Sequence, residues 1–163
     1  MTNATVGISD MKILKNEGTL ITYALGSCIG ICVYDETNKL GGMVHIMLPR
    51  SLRKPGDNIY KYADSGIQDM IKQLELKGAS RNRMIAKIAG GAKMFELQES
   101  SVLGNIGDRN AQSALSVLSS LGIPVKAKDI GLNYARTMSF DVGTGKVGLW
   151  RSEERRVGKE CRS

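Results

Sequence analysis

The first half of the chain is built from short apolar stretches that are interrupted by glycine, asparagine, aspartate or proline. Four of these stretches have the length and the β-branched or apolar composition of strands, namely residues 6–8, 19–25, 29–34 and 43–48. A polar stretch at residues 35–39 connects the third to the fourth in the manner of a hairpin, and Pro49 ends the fourth. The pattern therefore predicts a strand-rich first half that is followed by a loop at residues 50–58.

From residue 59 onward, the apolar positions recur with the period of a helix. The first helical face is formed by Ile59, Ala63, Ile67, Met70, Ile71 and Leu74. The second helical face is formed by Ala111, Ala114, Leu115, Leu118 and Leu121. Gly78 and Gly122 stand just after the two faces, where glycine commonly ends a helix. Further strands are predicted at residues 84–89, 124–130, 136–141 and 146–150.

No internal repeat, linker or low-complexity block divides residues 1–150, which we therefore predict to form one domain. A chain of this size buries about 68–70% of its unfolded surface, enough for one well-packed core. The order of elements predicts an α/β fold, a single-domain layered sandwich in which a mixed, strand-rich sheet system is covered by two main helices.

The composition narrows the class of function. Hydrophobic residues make up 42% and charged residues 24% of the 163 residues, as is typical of globular proteins. No apolar run approaches the roughly 18 residues of a membrane-spanning helix, and three cysteines do not make the even-numbered framework of a secreted scaffold. We therefore expect a cytoplasmic protein. The net charge of +7 is spread along the chain and aromatic residues make up only 5%, which favours docking to an acidic protein surface over nucleic-acid binding.

Residues 151–163 stand apart from the rest of the chain. They have no hydrophobic period, they directly follow a strand-like segment that ends at Trp150, and they resemble the in-frame translation of a widely used DNA-sequencing adapter. We interpret them as a non-native tail and exclude them from the predicted fold. Because Cys161 lies in this tail, Cys28 and Cys32 are the cysteines that remain.

The candidate chemistry starts from the single histidine of the chain, His45, which any cysteine or serine hydrolase mechanism with an imidazole base must use. Cys28 is the candidate nucleophile because it follows Gly26 and Ser27 in a small-residue turn at the start of an apolar strand. Such a turn exposes a thiol and aims backbone N–H groups at a developing oxyanion. Cys32 lies inside the same strand and is interpreted as a core residue.

His45 lies on the strand after the one that Cys28 begins, and facing side chains on neighbouring strands stand about 5 Å apart. A Cys28–His45 pair that lowers the pKa of the thiol is therefore feasible, with Thr22 as a third, orienting group. The residue types alone leave open two plainer roles, a buried structural cysteine and a hydrogen-bonded core histidine. A metal site is disfavoured, because Cys28, Cys32 and His45 lack the paired spacing of zinc ligands and an evident fourth ligand.

Six strings stand in one order along the chain: LGSC at residues 25–28, GMVHIMLP at 42–49, KYAD at 61–64, KIAGGAKMF at 87–95, NIGDRN at 105–110 and NYAR at 133–136. Over nearly all of residues 6–146, the chain thereby resembles the chemoreceptor glutamine deamidase family, CheD. The resemblance implies Cys28 as nucleophile, His45 as general base and Thr22 as the residue that orients the base. It also implies an α/β sandwich related to the catalytic domain of bacterial cytotoxic necrotizing factors.

The same resemblance implies an activity and partners. Members of the family convert glutamine side chains of methyl-accepting chemotaxis proteins to glutamate without a cofactor or a metal, and some bind the phosphatase CheC. A cytoplasmic enzyme that is monomeric when free, with chemoreceptors as substrates and CheC as a candidate partner, is therefore expected. Two other functions stay open: a non-catalytic adaptor that binds a receptor or CheC, and a cysteine protease or acyl transferase with the same dyad.

Two further features of the chain bear on this resemblance. Leu132 stands where the family often has a second glycine before Asn133. Asn105, Arg109 and Asn110 lie in a polar stretch before the second helical face, where we expect their side chains to cap the helix and order the loop rather than take part in the chemical step.

Overall fold

The computed structural model describes residues 2–94 and 105–152, together with the backbone of residues 161–162. The strands and α-helices of these residues are, in chain order, β1 (Asn3–Thr5), β2 (Met11–Lys15), β3 (Thr19–Leu25), β4 (Ile29–Asp35), β5 (Leu40–Ile46), α1 (Ala63–Leu76), β6 (Met84–Gly90), α2 (Ile106–Ser120), β7 (Val125–Ile130), β8 (Arg136–Asp141), β9 (Val147–Arg151) and β10 (Cys161–Arg162). Short 3₁₀ helices at Ile59–Lys61 and Arg81–Arg83 precede α1 and β6.

The strands form two five-stranded sheets. Sheet A has the strand order β1-β3-β8-β9-β10, and sheet B has the order β2-β5-β4-β6-β7. Strand β1 runs parallel to β3 and β7 runs parallel to β6, whereas the other neighbours are antiparallel. The predicted α/β fold, with a mixed, strand-rich sheet system and two main helices, is confirmed.

Sheet B lies between sheet A and the two helices, so that a core packs on each of its faces. Strand β4, in the middle of sheet B, is buried along its whole length. Ile29 and Ile31 pack on the helical side, whereas Cys32 packs toward sheet A and is a core residue, as predicted. Because side chains alternate along a strand, Cys28 falls on the same side as Cys32, facing sheet A.

Both helices lay their predicted apolar faces on sheet B, but each begins at a different residue than the pattern suggested. Helix α1 begins at Ala63 because residues 59–61 form a 3₁₀ turn, in which the side chain of Asn58 accepts a hydrogen bond from the Tyr60 N–H. Helix α2 begins at Ile106, five residues before the first predicted apolar position. Gly78 and Gly122 follow the helices with φ angles of 112° and 77°, where a residue with a side chain is strained.

The strand predictions failed mainly in the first sixty residues. The strand predicted at residues 6–8 is wrong, since β1 ends at Thr5. Strand β2 was not predicted, because its lysines face solvent and hide its short apolar pattern. Strand β5 begins three residues earlier than predicted and also ends earlier. The second residue of β5 is Gly41, where a Cβ atom would lie 2.7 Å from the Phe140 ring, so the glycine permits the two sheets to approach closely.

The predicted strands of the second half correspond to β6, β7, β8 and β9. Strand β9 continues through Arg151, whose Cζ atom lies 4.0 Å from the centre of the Tyr134 ring. The backbone of residues 161–162 pairs antiparallel with β9. Most of the suspected tail lies outside the described residues, so its non-native origin stays a prediction. Among the described helices, none is both long and apolar enough to span a membrane.

Candidate active site

Cys28 lies in the turn where the chain crosses from sheet A to sheet B, between the end of β3 and the start of β4. A β-bulge precedes this turn, because Thr22 and Leu25 are three residues apart on β3 while their partners on β8 are two apart. Ala24, inside the bulge, has a φ of 57°. Bulges bend a strand and re-aim its side chains. Here the bulge and the turn leave Cys28 half-buried at the edge of the inter-sheet core.

All three carbonyl groups of residues 26–28 accept hydrogen bonds from the second half of the chain. The donors are Ala92 N–H to Gly26 O at 2.8 Å, Asn110 Nδ2 to Ser27 O at 2.9 Å and Gly91 N–H to Cys28 O at 2.9 Å. Within the described residues, the backbone N–H groups of Ser27 and Cys28 make no hydrogen bond. The C=O and N–H of one planar trans peptide point in opposite directions, so the anchored carbonyls fix where these two N–H groups point. They are the donors that the sequence suggested for an oxyanion.

Gly90 shows how closely the chain packs behind the nucleophile. A Cβ atom on Gly90 would lie 2.1 Å from the carbonyl oxygen of Cys28, so any side chain there would displace the turn. The buried guanidinium of Arg136 donates to the carbonyl oxygens of Gly90 and Gly131 and forms an ion pair with Asp129 at 3.2 Å. The turn that carries Cys28 therefore packs against the backbone at Gly90, which the contacts of Arg136 hold in place.

His45 and Thr22 join the two sheets at the site. Thr22, from sheet A, and His45, from sheet B, are both buried, and Thr22 Oγ1 lies 2.7 Å from His45 Nδ1. The Thr22 hydroxyl donates its single proton to Val6 O at 2.6 Å, so it accepts a hydrogen bond from His45 Nδ1–H. This tautomer leaves Nε2 as the unprotonated nitrogen. Nε2 is buried and has no hydrogen-bond partner among the described residues, so its lone pair is available to accept a proton.

Cys28 and His45 share the face of sheet B that looks toward sheet A. His45 is paired with Gly30, two residues after Cys28, so the two side chains are diagonal neighbours on adjacent strands. Gly30 places no side chain beside the imidazole, and a Cβ atom there would meet Met138 Sδ at 3.0 Å. The register thus brings together the predicted nucleophile and base. The thiol and Nε2 are not hydrogen-bonded in this structure.

Burial sets the protonation of both groups. Burial lowers the pKa of His45 to about 4 and raises the pKa of the Cys28 thiol above its ordinary value. The pKa of Cys28 therefore shifts opposite to the sequence-based expectation, because desolvation outweighs any stabilisation of the thiolate. At neutral pH the resting pair is a neutral thiol next to a neutral imidazole. Burial also raises the pKa of Cys32, which leaves that thiol unreactive.

The polar stretch at residues 105–110 does not cap α2 as predicted. Asn105 occupies the N-cap position, but its side chain makes no capping hydrogen bond. Asn110 lies within the helix and is fully buried, so the capping role is wrong for both residues. A signal for the true role was present in the sequence. Asn110 is four residues before Ala114 and eight before Leu118, which places a polar side chain on the apolar face.

Asn110 is the functional candidate that the sequence did not assign to the site. Its Nδ2 group donates to Ser27 O at 2.9 Å and to Met47 O at 2.8 Å. Ser27 adjoins the nucleophile Cys28, and Met47 lies two residues after His45. One buried amide group thus ties the nucleophile turn to the end of the strand that carries the base.

The described residues contain no group of three or more histidine, cysteine, aspartate or glutamate side chains placed to hold a metal ion. The arrangement brings together a thiol, an imidazole with a fixed tautomer and two oriented N–H donors. Such a set can support acyl transfer through a thioester.

Comparison with known proteins places the chain among relatives with closely similar sequences. Residues 47–151 match the family model CheD, described as chemotactic sensory transduction. A protein of Desulfitobacterium hafniense is 47% identical over 88% of this chain and 89% of its own length. One from Lachnoclostridium phytofermentans is 44% identical over 83% and 85%, and one from Moorella thermoacetica is 47% identical over 87% and 86%. All three carry the name "Probable chemoreceptor glutamine deamidase CheD".

A likeness to a solved structure extends to the fold alone. The crystal structure of a Neisseria meningitidis protein matched by the family model DUF152 superimposes with a TM-score of 0.53 at 10% sequence identity. The superposition covers 81% of this chain and 64% of the other. The shared architecture at so low an identity indicates the layered arrangement, whereas the identities of 44–47% over most of the length carry the family assignment. The chain belongs to the CheD family.

Proposed function

We propose that this chain is a protein-glutamine deamidase that hydrolyses glutamine side chains of methyl-accepting chemotaxis receptors to glutamate and releases ammonia. The names of its relatives give chemoreceptor glutamine deamidation as their activity. One structural observation carries the proposal for this chain. It is the imidazole of His45, held at Nδ1 by Thr22, with a partnerless Nε2 on the face that it shares with Cys28.

The first half of the reaction forms a thioester. As Cys28 Sγ attacks the carboxamide carbon of the glutamine, the thiol proton passes to His45 Nε2, so the neutral resting pair needs no preformed thiolate. The charge that develops on the amide oxygen is stabilised by the N–H groups of Ser27 and Cys28. His45 then returns the proton to the departing nitrogen, which leaves as ammonia when the tetrahedral intermediate collapses.

The second half of the reaction regenerates the enzyme. A water molecule gives a proton to Nε2 and attacks the thioester carbon, and collapse expels Cys28 Sγ, which takes the proton back. The balance is one glutamine side chain and one water converted to one glutamate side chain and one ammonia. Throughout, Thr22 keeps Nδ1 protonated, which stabilises the imidazolium and preserves Nε2 as the reactive nitrogen.

Partners and location follow as parts of the same proposal. A free thiol nucleophile is maintained in a reducing compartment, so we expect the enzyme to act in the cytoplasm. Binding of a CheC-type phosphatase and a monomeric free state are implied by the resemblance, and both are open to measurement by sedimentation with and without that partner.

The experiment that tests the proposal compares Cys28→Ala with Cys32→Ala. The purified protein is incubated with the cytoplasmic fragment of a chemoreceptor from the same organism, and ammonia release and a mass gain of about one dalton at a glutamine are followed. We expect Cys28→Ala to abolish both signals and Cys32→Ala to retain them. Ammonia release at the wild-type rate by Cys28→Ala would refute the mechanism. Full regulatory effect on receptor signalling without the thiol would favour the non-catalytic adaptor.

A further inference from the structure

A groove of about 830 Å³ runs along the solvent side of helix α2. One wall is a stripe of α2 that includes Ile106, Arg109, Ser113 and Ser116, spaced by three, four and three residues as neighbours on one helical face are. The other wall is the segment that follows β5, residues 48–52. At 1.5 Å of rise per residue, the stripe is about 15 Å long. The groove is therefore long enough for several residues of a bound chain.

This groove begins beside the nucleophile turn. Its second wall starts at Leu48, the residue after Met47, and the Asn110 amide that binds Met47 O also binds Ser27 O. One helical turn further on, Ser113 Oγ donates to Pro49 O at 2.7 Å and fastens the wall to α2. The Asn110 amide thus joins the groove wall to the turn that carries Cys28, whose side chain lies on the other face of sheet B and does not line the groove.

The lining of the groove is apolar with a basic rim. Leu48, Pro49 and Leu52 supply the apolar surface, and the side chain of Leu52 is 63% exposed. Arg50 and Arg109 supply positive charge, and no aspartate or glutamate belongs to the described lining. Arg53 and Lys54 continue the basic run of this segment. Two carboxylates are attached to the walls and both are engaged: that of Asp57 accepts a hydrogen bond from the hydroxyl of the lining residue Tyr62, and that of Asp64 accepts one from the Ser51 N–H at 2.8 Å.

Selectivity among glutamines demands such a surface. The thiol, the imidazole and the oxyanion donors contact only a carboxamide, which every glutamine presents, so contacts outside the reacting group must distinguish one receptor glutamine from others. We propose that the groove binds the receptor segment next to the target glutamine, an amphipathic segment with apolar side chains against Leu48 and Leu52 and carboxylates against Arg50 and Arg109. This inference rests on the proposed function and adds to it the chemical character of the preferred sequence around the glutamine.

The test reverses the rim charges in the full-length protein with the double variant Arg50→Glu/Arg109→Glu. The control is Lys146→Glu, a single exposed charge reversal in the β8–β9 hairpin, near Tyr34 at the far end of β4. The substrate is the purified cytoplasmic receptor fragment, assayed for ammonia at low and at high ionic strength. We expect the double variant to raise KM about tenfold or more with little change in kcat, and Lys146→Glu to match the wild type. High salt should raise the KM of the wild type more than the KM of the double variant, because salt screens exposed charges.

A second readout separates docking from damage to the site. Alkylation of Cys28 by iodoacetamide needs no receptor and should proceed at the wild-type rate in the double variant. The variant Leu52→Ser, which removes apolar contact at an exposed position, should also raise KM without changing alkylation. An unchanged KM in both variants would overturn the groove proposal. The proposal would also fail if sedimentation showed that the wild type is a dimer and that the variants are monomers with an unchanged KM. Absence of ammonia release by the wild type would instead count against the proposed function.

Discussion

An ionisable group lies at each end of strand β4, Asp35 as its last residue and Cys28 in the turn before it, and the two ends differ in how their polar groups are satisfied. At the far end, Asp35 is fully buried and its carboxylate accepts hydrogen bonds from Asn38, Ser80 and Arg83. At the near end, Cys28 is half-buried, and the Nε2 atom of His45 on its face is buried with no partner. An unsatisfied buried polar atom costs stability, so its presence calls for a reason.

The difference teaches how to separate structural from reactive polar groups within one strand. At the Asp35 end, hydrogen bonds occupy the acceptor sites of the carboxylate, which is therefore not free to bind or react with another group. At the Cys28 end, the hydrogen bonds are made by groups that position the site, namely three carbonyls of the turn and Nδ1 of His45. The candidate base His45 Nε2 stays unpaired, as do two buried atoms without an assigned chemical role, Asn110 Oδ1 at this end and Tyr34 Oη at the far end. Disruption of the near end should therefore affect turnover, and disruption of the far end should affect stability.

The largest effect within this comparison is expected from His45→Asn. Asparagine is polar and similar in size but cannot act as a base, so the variant should fold and bind receptor while kcat/KM falls about 10²-fold or more.

The pKa of His45 of about 4 also predicts the acidic limb of the wild-type pH profile. The base is active when neutral, so kcat/KM should stay high as pH falls through 6 and decline only near pH 4. A limb near the ordinary histidine pKa of about 6.5 would contradict the burial-induced shift.

A smaller loss of activity is expected from Asn110→Ala, with Asn38→Ala as its counterpart at the far end. Asn38 Nδ2 binds the Asp35 carboxylate and Gly78 O, much as Asn110 Nδ2 binds Ser27 O and Met47 O. Both variants should lower the free energy of unfolding by about 1–3 kcal/mol, because each leaves polar groups unpaired. Only Asn110→Ala should also reduce kcat, by roughly tenfold, when both are assayed well below their Tm. Equal kcat values would show that the Asn110 contact is structural alone.

Asp35→Asn should affect stability and leave chemistry intact. The substitution replaces one carboxylate oxygen by an NH₂ group, which donates hydrogen bonds and therefore faces the donors that the oxygen accepted from. We expect the free energy of unfolding to fall by about 2–3 kcal/mol near neutral pH.

Burial alone would raise the pKa of Asp35, but the hydrogen bonds from Ser80, Asn38 and Arg83 outweigh burial and hold that pKa below its ordinary value. The folded pKa thus lies below the unfolded pKa of about 3.9. The stabilisation is complete above that value and is lost as pH falls through the folded pKa. Denaturant unfolding at pH 7 and pH 3 should show the deficit of the variant shrinking in acid, and a turnover change beyond twofold would contradict the division between the ends.

The sequence predicted the central strands and the proximity of Cys28 and His45 better than it predicted the groups that surround these two residues. Strands β3 and β4 follow from short runs of β-branched and apolar residues, and the only histidine of the chain limited the choice of base. The tautomer of His45 did not follow, because it depends on Val6 O, in a segment that was wrongly predicted to be a strand. The polar Asn110 on the apolar face of α2 is visible in the sequence, but its partner Ser27 is not, because the two residues are 83 positions apart and such contacts leave no local pattern. The pKa of Cys28 depends on burial, which requires the packed sheets.

The smallest effect is expected from Leu132→Gly, which tests strain in the backbone behind the near end. Leu132 has a φ of 62° and a side chain that is 63% exposed. Its carbonyl accepts the Lys93 N–H at 2.8 Å, and the preceding Gly131 N–H donates to Gly90 O at 2.9 Å. A residue with a Cβ atom pays about 1 kcal/mol for this left-handed conformation, whereas glycine adopts it freely.

We therefore expect Leu132→Gly to raise the free energy of unfolding by about 1 kcal/mol and Tm by roughly 2–4 °C. Leu132→Ala serves as the control, because it removes the same exposed side chain but retains the strain, so its Tm should stay close to that of the wild type. Both variants should keep wild-type turnover, since the peptide groups that hold Gly90 and Lys93 are unchanged. Equal Tm values for the glycine and alanine variants would show that the left-handed backbone at this position stores no appreciable strain.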